Sequence, residues 1–321
     1  MLSAPDVSLG VPGVFNLVRC SRCGLVYENP RPTSESLDII YPESYAPHQD
    51  LRGPGVGPPL ARWGWKVGQV AAPLFFRRLQ SSDSGVGGLR ARSSYVLATL
   101  LQLPVLPPAW TGADGASRLL DIGCGTGRFL AQMLSAGWDA YGVEVDREAA
   151  ERARRIAGER VLAGAFEPGL FTPGSFDLIT LGHVLEHLSS PSRALSEVAQ
   201  LLKPGGWLAI EVPNMNSLEA RVLGGHAYQL ELPRHFYHFT AETLSMMLEK
   251  ATLRPVRTLF PIEPTSLYVS LRRKLGYNDQ QGWGTGHIWR RRLLWPLCAL
   301  LSWTGTGSQM AVLATKPSEK T

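Results

Sequence analysis

The sequence predicts an α/β fold, a mostly parallel sheet with helices on both faces, preceded by an irregular and helical N-terminal extension. Three observations carry this. Short apolar runs alternate with helical stretches across residues 116–214, the pattern that successive βαβ units impose. The first run, Arg118–Ile122, ends in the glycine-dense turn Gly123-Cys124-Gly125-Thr126-Gly127. An acidic residue, Glu144, closes the next run roughly twenty residues further on.

Each element has a local reason. Arg118–Ile122 reads as a buried strand and Phe129–Ala136 has helical spacing. Ala140–Val145 is the next strand. Arg147–Ala157 is a charged, alanine-rich helix with Asp146 as its N-cap. Val161–Leu162 is a brief strand, and Phe176–Leu181 follows the turn Pro173-Gly174-Ser175. Pro191–Leu202 is helical, with Pro191 in the first turn, where a missing N–H is tolerated. Pro204-Gly205-Gly206 is expected to end it. Trp207–Val212 is a strand that stops at Pro213. The connection Asn214–Phe239 is long for a compact domain, which marks it as functional or disordered. Thr240 then caps a helix reaching about Ala251, with Thr243 at the capping-box position. Val256–Phe260 and Met310–Thr315 are the last strands.

Two regions are expected. Residues 1–105 form the extension, with helices near Leu60–Leu79 and Arg90–Leu103 joined by the flexible Ser81–Gly88. Residues 106–321 form the main domain, with an insertion at about 214–239 that covers the substrate.

Hydrophobic residues make up 44% of the chain and charged residues 18%, a globular balance with enough apolar material for a core. The net charge of +5 is dispersed over 321 residues, with clusters only at Arg272–Lys274 and Arg290–Arg292, so nucleic acid is disfavoured as a partner. Four cysteines, Cys20, Cys23, Cys124 and Cys298, are too few for a disulfide scaffold. No basic start followed by an apolar run marks a signal peptide. No apolar stretch reaches the ~20 residues of a spanning helix. A cytoplasmic location is expected.

The glycine turn carries the chemistry. Glycine lets the chain turn sharply and lets a ligand approach the backbone, and the helix start behind it offers free N–H groups. The spacing is G-x-G-x-G, whereas the dinucleotide fingerprint is G-x-G-x-x-G. Asp121 also stands two residues before the first glycine. A carboxylate there repels a pyrophosphate but receives an ammonium group, which favours an amino-acid-like ligand. Glu144 is placed to accept from both hydroxyls of a ribose. Asp146 competes for that role, but helix capping accounts for it.

Taken in order, D-I-G-C-G-T-G (Asp121–Gly127), V-E-V-D (Val143–Asp146), F-D-L-I-T (Phe176–Thr180), H-V-L-E-H (His183–His187) and L-K-P-G-G (Leu202–Gly206) resemble the motif set of class I S-adenosylmethionine-dependent methyltransferases. The resemblance covers residues 116–214 and, more loosely, 233–251. There P-R-H-F-Y-H-F-T (Pro233–Thr240) is similar to a segment of a broad bacterial subgroup, many of whose members act on sugars, glycolipids or small metabolites. The resemblance implies a Rossmann-like seven-stranded sheet with one antiparallel strand, and S-adenosylmethionine as cofactor. It implies that Asp121, Gly123, Cys124, Gly125 and Gly127 surround the methionine part, and that Glu144 holds the ribose with Val145 beside it. The turn Gly164–Glu167, including Ala165 and Phe166, would lie at the adenine edge. Many relatives carry an aspartate near Ala165; here backbone groups or Glu167 would take over its role. Gly182 and His183 would face the sulfonium and the acceptor, a small molecule, sugar or glycolipid.

Methyl transfer from a sulfonium is a direct displacement, so the protein mainly binds, aligns and excludes water. An oxygen or nitrogen acceptor also calls for a general base, which histidine suits. His183, His235 and His187 are the candidates. His183 is nearest the strand end, and His235 sits on the long connection, able to close over a substrate. For His187 a structural pairing with Glu186 competes. H-x-x-E-H formally matches a zinc-protease pattern, but here it follows a strand of a nucleotide-type sheet, and no metal is expected. A non-catalytic cofactor-binding protein and an NAD(P)-dependent oxidoreductase stay open as alternatives.

Two features lie outside this set. Cys20-Ser21-Arg22-Cys23 resembles a zinc knuckle, but a tetrahedral site needs two such pairs and no complete one is expected within the chain. Trp289–Trp303 places three arginines before an apolar stretch. It reads as an amphipathic helix packed on the domain, with peripheral contact at the inner membrane face as the alternative.

Overall fold

The computed structural model describes residues 2–41, 117–277, 279 and 287–318. The helices expected at 60–79 and 90–103 lie outside them. The chain forms two compact units, Met1–Gln49 with Arg118–Thr321 and, separately, Asp50–Ser117. The first unit holds both sheets.

Its N-terminal part is not irregular. It forms three short antiparallel strands, β1 (Leu2–Ala4), β2 (Phe15–Arg19) and β3 (Val26–Glu28), and one helical turn, α1 (Leu37–Ile40). Strands this short carry no detectable period, and their stability comes from partners far along the chain. The main domain then runs β4 (Arg118–Ile122), α2 (Arg128–Ser135), β5 (Asp139–Glu144), α3 (Arg147–Ala157), β6 (Val161–Ala163), β7 (Phe176–Gly182), α4 (Pro191–Leu201) and β8 (Leu202–Pro213). After it come α5 (Leu218–Leu223), β9 (Tyr237–His238), α6 (Ala241–Lys250), β10 (Arg254–Leu259), α7 (Pro264–Lys274), α8 (His287–Thr304) and β11 (Gln309–Thr315).

The large sheet has seven strands in the order β10-β11-β8-β7-β4-β5-β6. Strands β6, β5, β4, β7 and β8 run parallel, and β11 runs antiparallel between β8 and β10. The chain leaves β4 towards β5 on one side and resumes at β7 on the other. The carboxyl ends of β4 and β7 are therefore the switch point where α/β sheets bind ligands. Pro204-Gly205-Gly206 does not end the helix before it; α4 passes directly into β8, which contains that turn.

Leu120, Ile122, Val143, Ile179, Leu181, Leu208 and Ile210 fill the sheet centre. Leu195 and Val198 of α4 and Leu244 and Leu248 of α6 cover them at helical spacing. Each such side chain contributes about 1.5–3 kcal/mol on burial. The cap expected at Asp146 is formed, its carboxylate accepting from the Ala149 N–H at 2.7 Å. The Thr240–Thr243 capping box is complete. Helix α3 buries the small face Ala149, Ala150, Ala153 and Ala157, which lets it approach Gly127 closely. A Cβ at Gly127 would lie 2.8 Å from the Ala153 Cα.

The connection 214–239 is ordered and largely buried. Ala227, Leu230 and Leu232 join Ala4, Leu17 and Val26 in a second small core. Strand β9 pairs with β3, completing the four-stranded sheet β1-β2-β3-β9. Arg234, with no exposed side-chain surface, bonds both carboxylate oxygens of the equally buried Asp6, at 2.8 and 3.0 Å. Helix α7 is a further element absent from the sequence reading.

Candidate functional site

The glycine turn is stitched to the neighbouring strand. The N–H groups of Gly123 and Cys124 both donate to the Val143 carbonyl, at 2.8 and 3.1 Å. Gly123 has φ +74°, and a Cβ there would meet the Val184 Cγ2 at 2.3 Å. The turn after β4 therefore packs against the turn after β7 with no room for a side chain. At Gly125 an added Cβ would meet nothing within 4 Å, so that face of the turn is open. Cys124 turns its side chain into the core, where its Sγ would lie 2.7 Å from a Cβ on Gly142. Only its backbone faces the crevice.

Two buried carboxylates stand beside the turn. Asp121 accepts from the Thr180 hydroxyl at 2.7 Å. Burial pushes its pKa up to about 7, the Thr180 bond opposes this, and Glu144 adds to it. Glu144 accepts from the Gly125 N–H at 2.7 Å and from the Asp146 N–H at 2.9 Å. Each of its oxygens keeps lone-pair capacity. Val145 and Ala165 are exposed at the strand ends, Phe166 is half-buried against the core, and Gly182 is exposed at the end of β7. The Gly164 N–H donates to the Glu144 carbonyl at 2.8 Å. The cofactor residues expected from the sequence thus share one rim of the sheet.

His183 follows directly. Its backbone sits at φ +55°, a sparsely populated region for a non-glycine residue, and its side chain is 49% exposed. Its N–H donates to the Glu211 carbonyl at 2.8 Å. Its Nδ1 lies 3.5 Å from the Glu186 carboxylate and its Nε2 lies 3.8 Å from that of Glu211. Burial opposes the charged imidazole, but Glu186 and then Glu211 outweigh it and raise the pKa to about 9.

His187 and His235 lie deeper. Their rings meet edge to face at a centroid distance of 4.7 Å. His187 Nδ1 is 2.8 Å from the Tyr41 hydroxyl and 3.0 Å from the Arg234 carbonyl. Burial, then His235, lowers its pKa to about 4. His235 is 5% exposed, with Nδ1 2.8 Å from the Gln229 carbonyl and Nε2 3.6 Å from Glu231. It belongs to a packed wall and not to a loose flap. Glu186, fully buried, links the two groups; its backbone carbonyl accepts from the Phe236 N–H at 2.9 Å.

Tyr41, Glu211 and the Asp6–Arg234 pair were not anticipated. Glu211 had a signal, a charge in the otherwise apolar end of a central strand. Tyr41 and Asp6 had none, because they reach the site only through the N-terminal chain. Cys20 and Cys23 occupy the tight β2–β3 turn, where the Gly24 N–H donates to the Cys20 carbonyl at 2.9 Å. Cys124 and Cys298 are buried elsewhere.

A methyltransferase-domain family model matches residues 90–258, more than half of the chain. Ubiquinone biosynthesis O-methyltransferase of Burkholderia vietnamiensis is 33% identical over 127 residues, 36% of this chain and 54% of that one. The enzyme of the same name from Thiobacillus denitrificans is 32% identical over 125 residues, with the same coverage. The chain spans about half the length of these curated relatives. Among solved structures, an S-adenosylmethionine-dependent methyltransferase of Thermotoga maritima aligns over 69% of this chain and 89% of its own, at 22% identity and a TM-score of 0.44. The chain belongs to the methyltransferase family, in its class I S-adenosylmethionine-dependent form.

Proposed function

We propose that this methyltransferase-family chain transfers a methyl group from S-adenosylmethionine to a small-molecule acceptor, binding the donor over the ends of β4 and β5 and the acceptor beside His183. The carrying observation is the buried carboxylate pair at the glycine turn. Among the described residues no basic side chain neutralises Asp121. An amino-acid ammonium group supplies that charge, and ribose hydroxyls match the remaining lone pairs of Glu144. The open face at Gly125 lets the ligand reach the backbone. A dinucleotide would bring its pyrophosphate against Asp121, which disfavours the oxidoreductase reading.

When bound, the cofactor supplies an electrophilic methyl group. The chain's own residues hold the donor, orient the acceptor and exclude water. We assign contact with the acceptor to His183, the exposed imidazole at the rim. Half-buried His187 and buried His235, behind it, position the wall. The O-methyltransferase relatives support an oxygen acceptor on a small molecule; sugar and glycolipid acceptors form the second class.

A peripheral membrane contact is a second reading, favoured by one observation. Helix α8 buries Cys298 and Leu301 but leaves Leu293 79%, Leu297 44%, Leu300 54% and Trp303 42% exposed. Among the described residues no helix is long and apolar enough to cross a membrane. Failure to sediment with anionic vesicles would remove this reading.

The main test is calorimetric titration with S-adenosylmethionine and S-adenosylhomocysteine, with NADH as control. Binding of both sulfur compounds, lost in Glu144→Ala, is expected, and NADH should not bind. A screen of phenols and sugar nucleotides should then show turnover that falls in His183→Ala. Folded protein that binds neither sulfur compound would overturn the assignment.

A further inference from the structure

We propose that Glu186, His187 and His235 bind one divalent transition-metal ion of the zinc class, fastening the 214–239 segment to the turn after β7. The inference goes beyond methyl transfer and does not depend on it.

The first argument is geometric. The three side chains offer ligand atoms that all lie within 4.8 Å of one another, a separation that side-chain torsions close to metal–ligand bonds of about 2 Å. Two imidazoles and one carboxylate are a set that zinc uses when it keeps one position open.

The second argument is the state of the rings. His235 Nδ1 faces the Gln229 carbonyl at 2.8 Å, and His187 Nδ1 faces the Arg234 carbonyl at 3.0 Å. A carbonyl only accepts, so the tautomer with its proton on Nδ1 fits both rings and leaves each Nε2 able to ligate a metal. Backbone acceptors behind metal-binding histidines do this in known sites. The Tyr41 hydroxyl donates to the same Arg234 carbonyl at 3.2 Å.

The third argument is independent of both. Glu186 has no exposed surface, and neither of its carboxylate oxygens receives a hydrogen bond. Its nearest basic neighbour, His183, stays at 3.5 Å. Glu28, on the strand beside β9, is also buried with both oxygens unbonded. Arg234, a second cation of this region, is engaged by Asp6 and Glu231. Buried carboxylates are retained when paired or coordinated to metal. Beyond the longer pairing with His183, a divalent cation gives the Glu186 oxygens the direct partner they lack. The protease pattern remains excluded, since His183 is outside the ligand set and the third ligand comes from a distant segment.

The test uses the full chain, stripped of metal and dialysed against Zn(II), with metal content measured per chain. One zinc is expected in the wild type and in the Cys20→Ser/Cys23→Ser variant, and less than a tenth of that in Glu186→Gln and His235→Gln. Binding of S-adenosylhomocysteine reports that each variant is folded. Co(II) loading of the wild type gives a second measurement free of folding effects. An intense visible spectrum of four-coordinate nitrogen and oxygen ligands, without a thiolate charge-transfer band, is expected. No bound zinc, zinc lost with the cysteines, or a thiolate band in the Co(II) spectrum would each overturn the proposal.

Discussion

The proposed donor side and the proposed acceptor side of the crevice are built in opposite ways. On the donor side most polar groups are answered by a neighbour close in sequence, and Asp121 reaches across to Thr180 of β7. Glu144 holds the Gly125 N–H, and Asp146 holds the Ala149 N–H. On the acceptor side the partners come from across the chain: Asp6 on Arg234, Tyr41 on His187, Phe236 on Glu186. That side also carries the buried carboxylates of Glu28 and Glu186 that receive no hydrogen bond. A cradle for one fixed ligand needs one local unit and a single bond from the neighbouring strand. A wall for a variable acceptor is assembled from long-range pieces, and its stability depends on their meeting.

The largest expected effect breaks that assembly. Asp6→Ala takes from Arg234 its fully buried partner and leaves Glu231, which costs about 3–5 kcal/mol. Urea unfolding should show this loss. An unchanged midpoint would mean that the N-terminal sheet is not tied to the acceptor wall by this pair.

Asp121→Ala separates the two sides by its sign. Losing a hydrogen bond to a charged group, worth about 1.5–3 kcal/mol, should weaken S-adenosylmethionine binding roughly 10–100-fold by calorimetry. Folding stability at pH 8 should not fall, because the variant removes a desolvated carboxylate. A destabilised variant with intact binding would reverse the roles assigned to the two sides.

The pH dependence sharpens the same point. Asp121 has an ordinary carboxylate pKa of 3.8 when unfolded and about 7 when folded. Its contribution to stability is therefore complete below pH 3.8 and is lost as pH rises through about 7. Binding of an ammonium group needs the ionised form, so affinity moves the other way. It should fall about tenfold per unit below pH 7. Affinity flat from pH 5 to 8 would show that Asp121 does not meet the ammonium.

The smallest effect concerns the helix behind the wall. Thr240→Ala removes one half of the capping box that starts α6 and should cost about 1 kcal/mol. Thermal unfolding measures it, and donor affinity should stay unchanged.

How much was legible follows the same division. The order β4-α2-β5-α3, the Asp146 cap, the Thr240–Thr243 box and the glycine turn were all readable, because each depends on residues within a few positions of one another. Strands β1, β2, β3 and β9 and helix α7 were not. The strands are two to five residues long, and although β1, β2 and β3 pair with one another, β9 and the core residues Ala227, Leu230 and Leu232 that complete them come from distant chain. Pro204–Gly206 was misread as a stop because a Pro-Gly-Gly turn ending a helix and one inside a strand look alike locally.

Residue order alone was enough for the parallel sheet, the glycine turn with its two acids and the family, since apolar periodicity, glycine geometry and the Asp121–Glu144 spacing are local properties of the chain. The meeting of Glu186, His187 and His235, the ion pair of Arg234 with Asp6, and the inward turn of Cys124 came only with folding. Each depends on which surfaces are brought together and dried, and burial changes what a carboxylate or an imidazole can do.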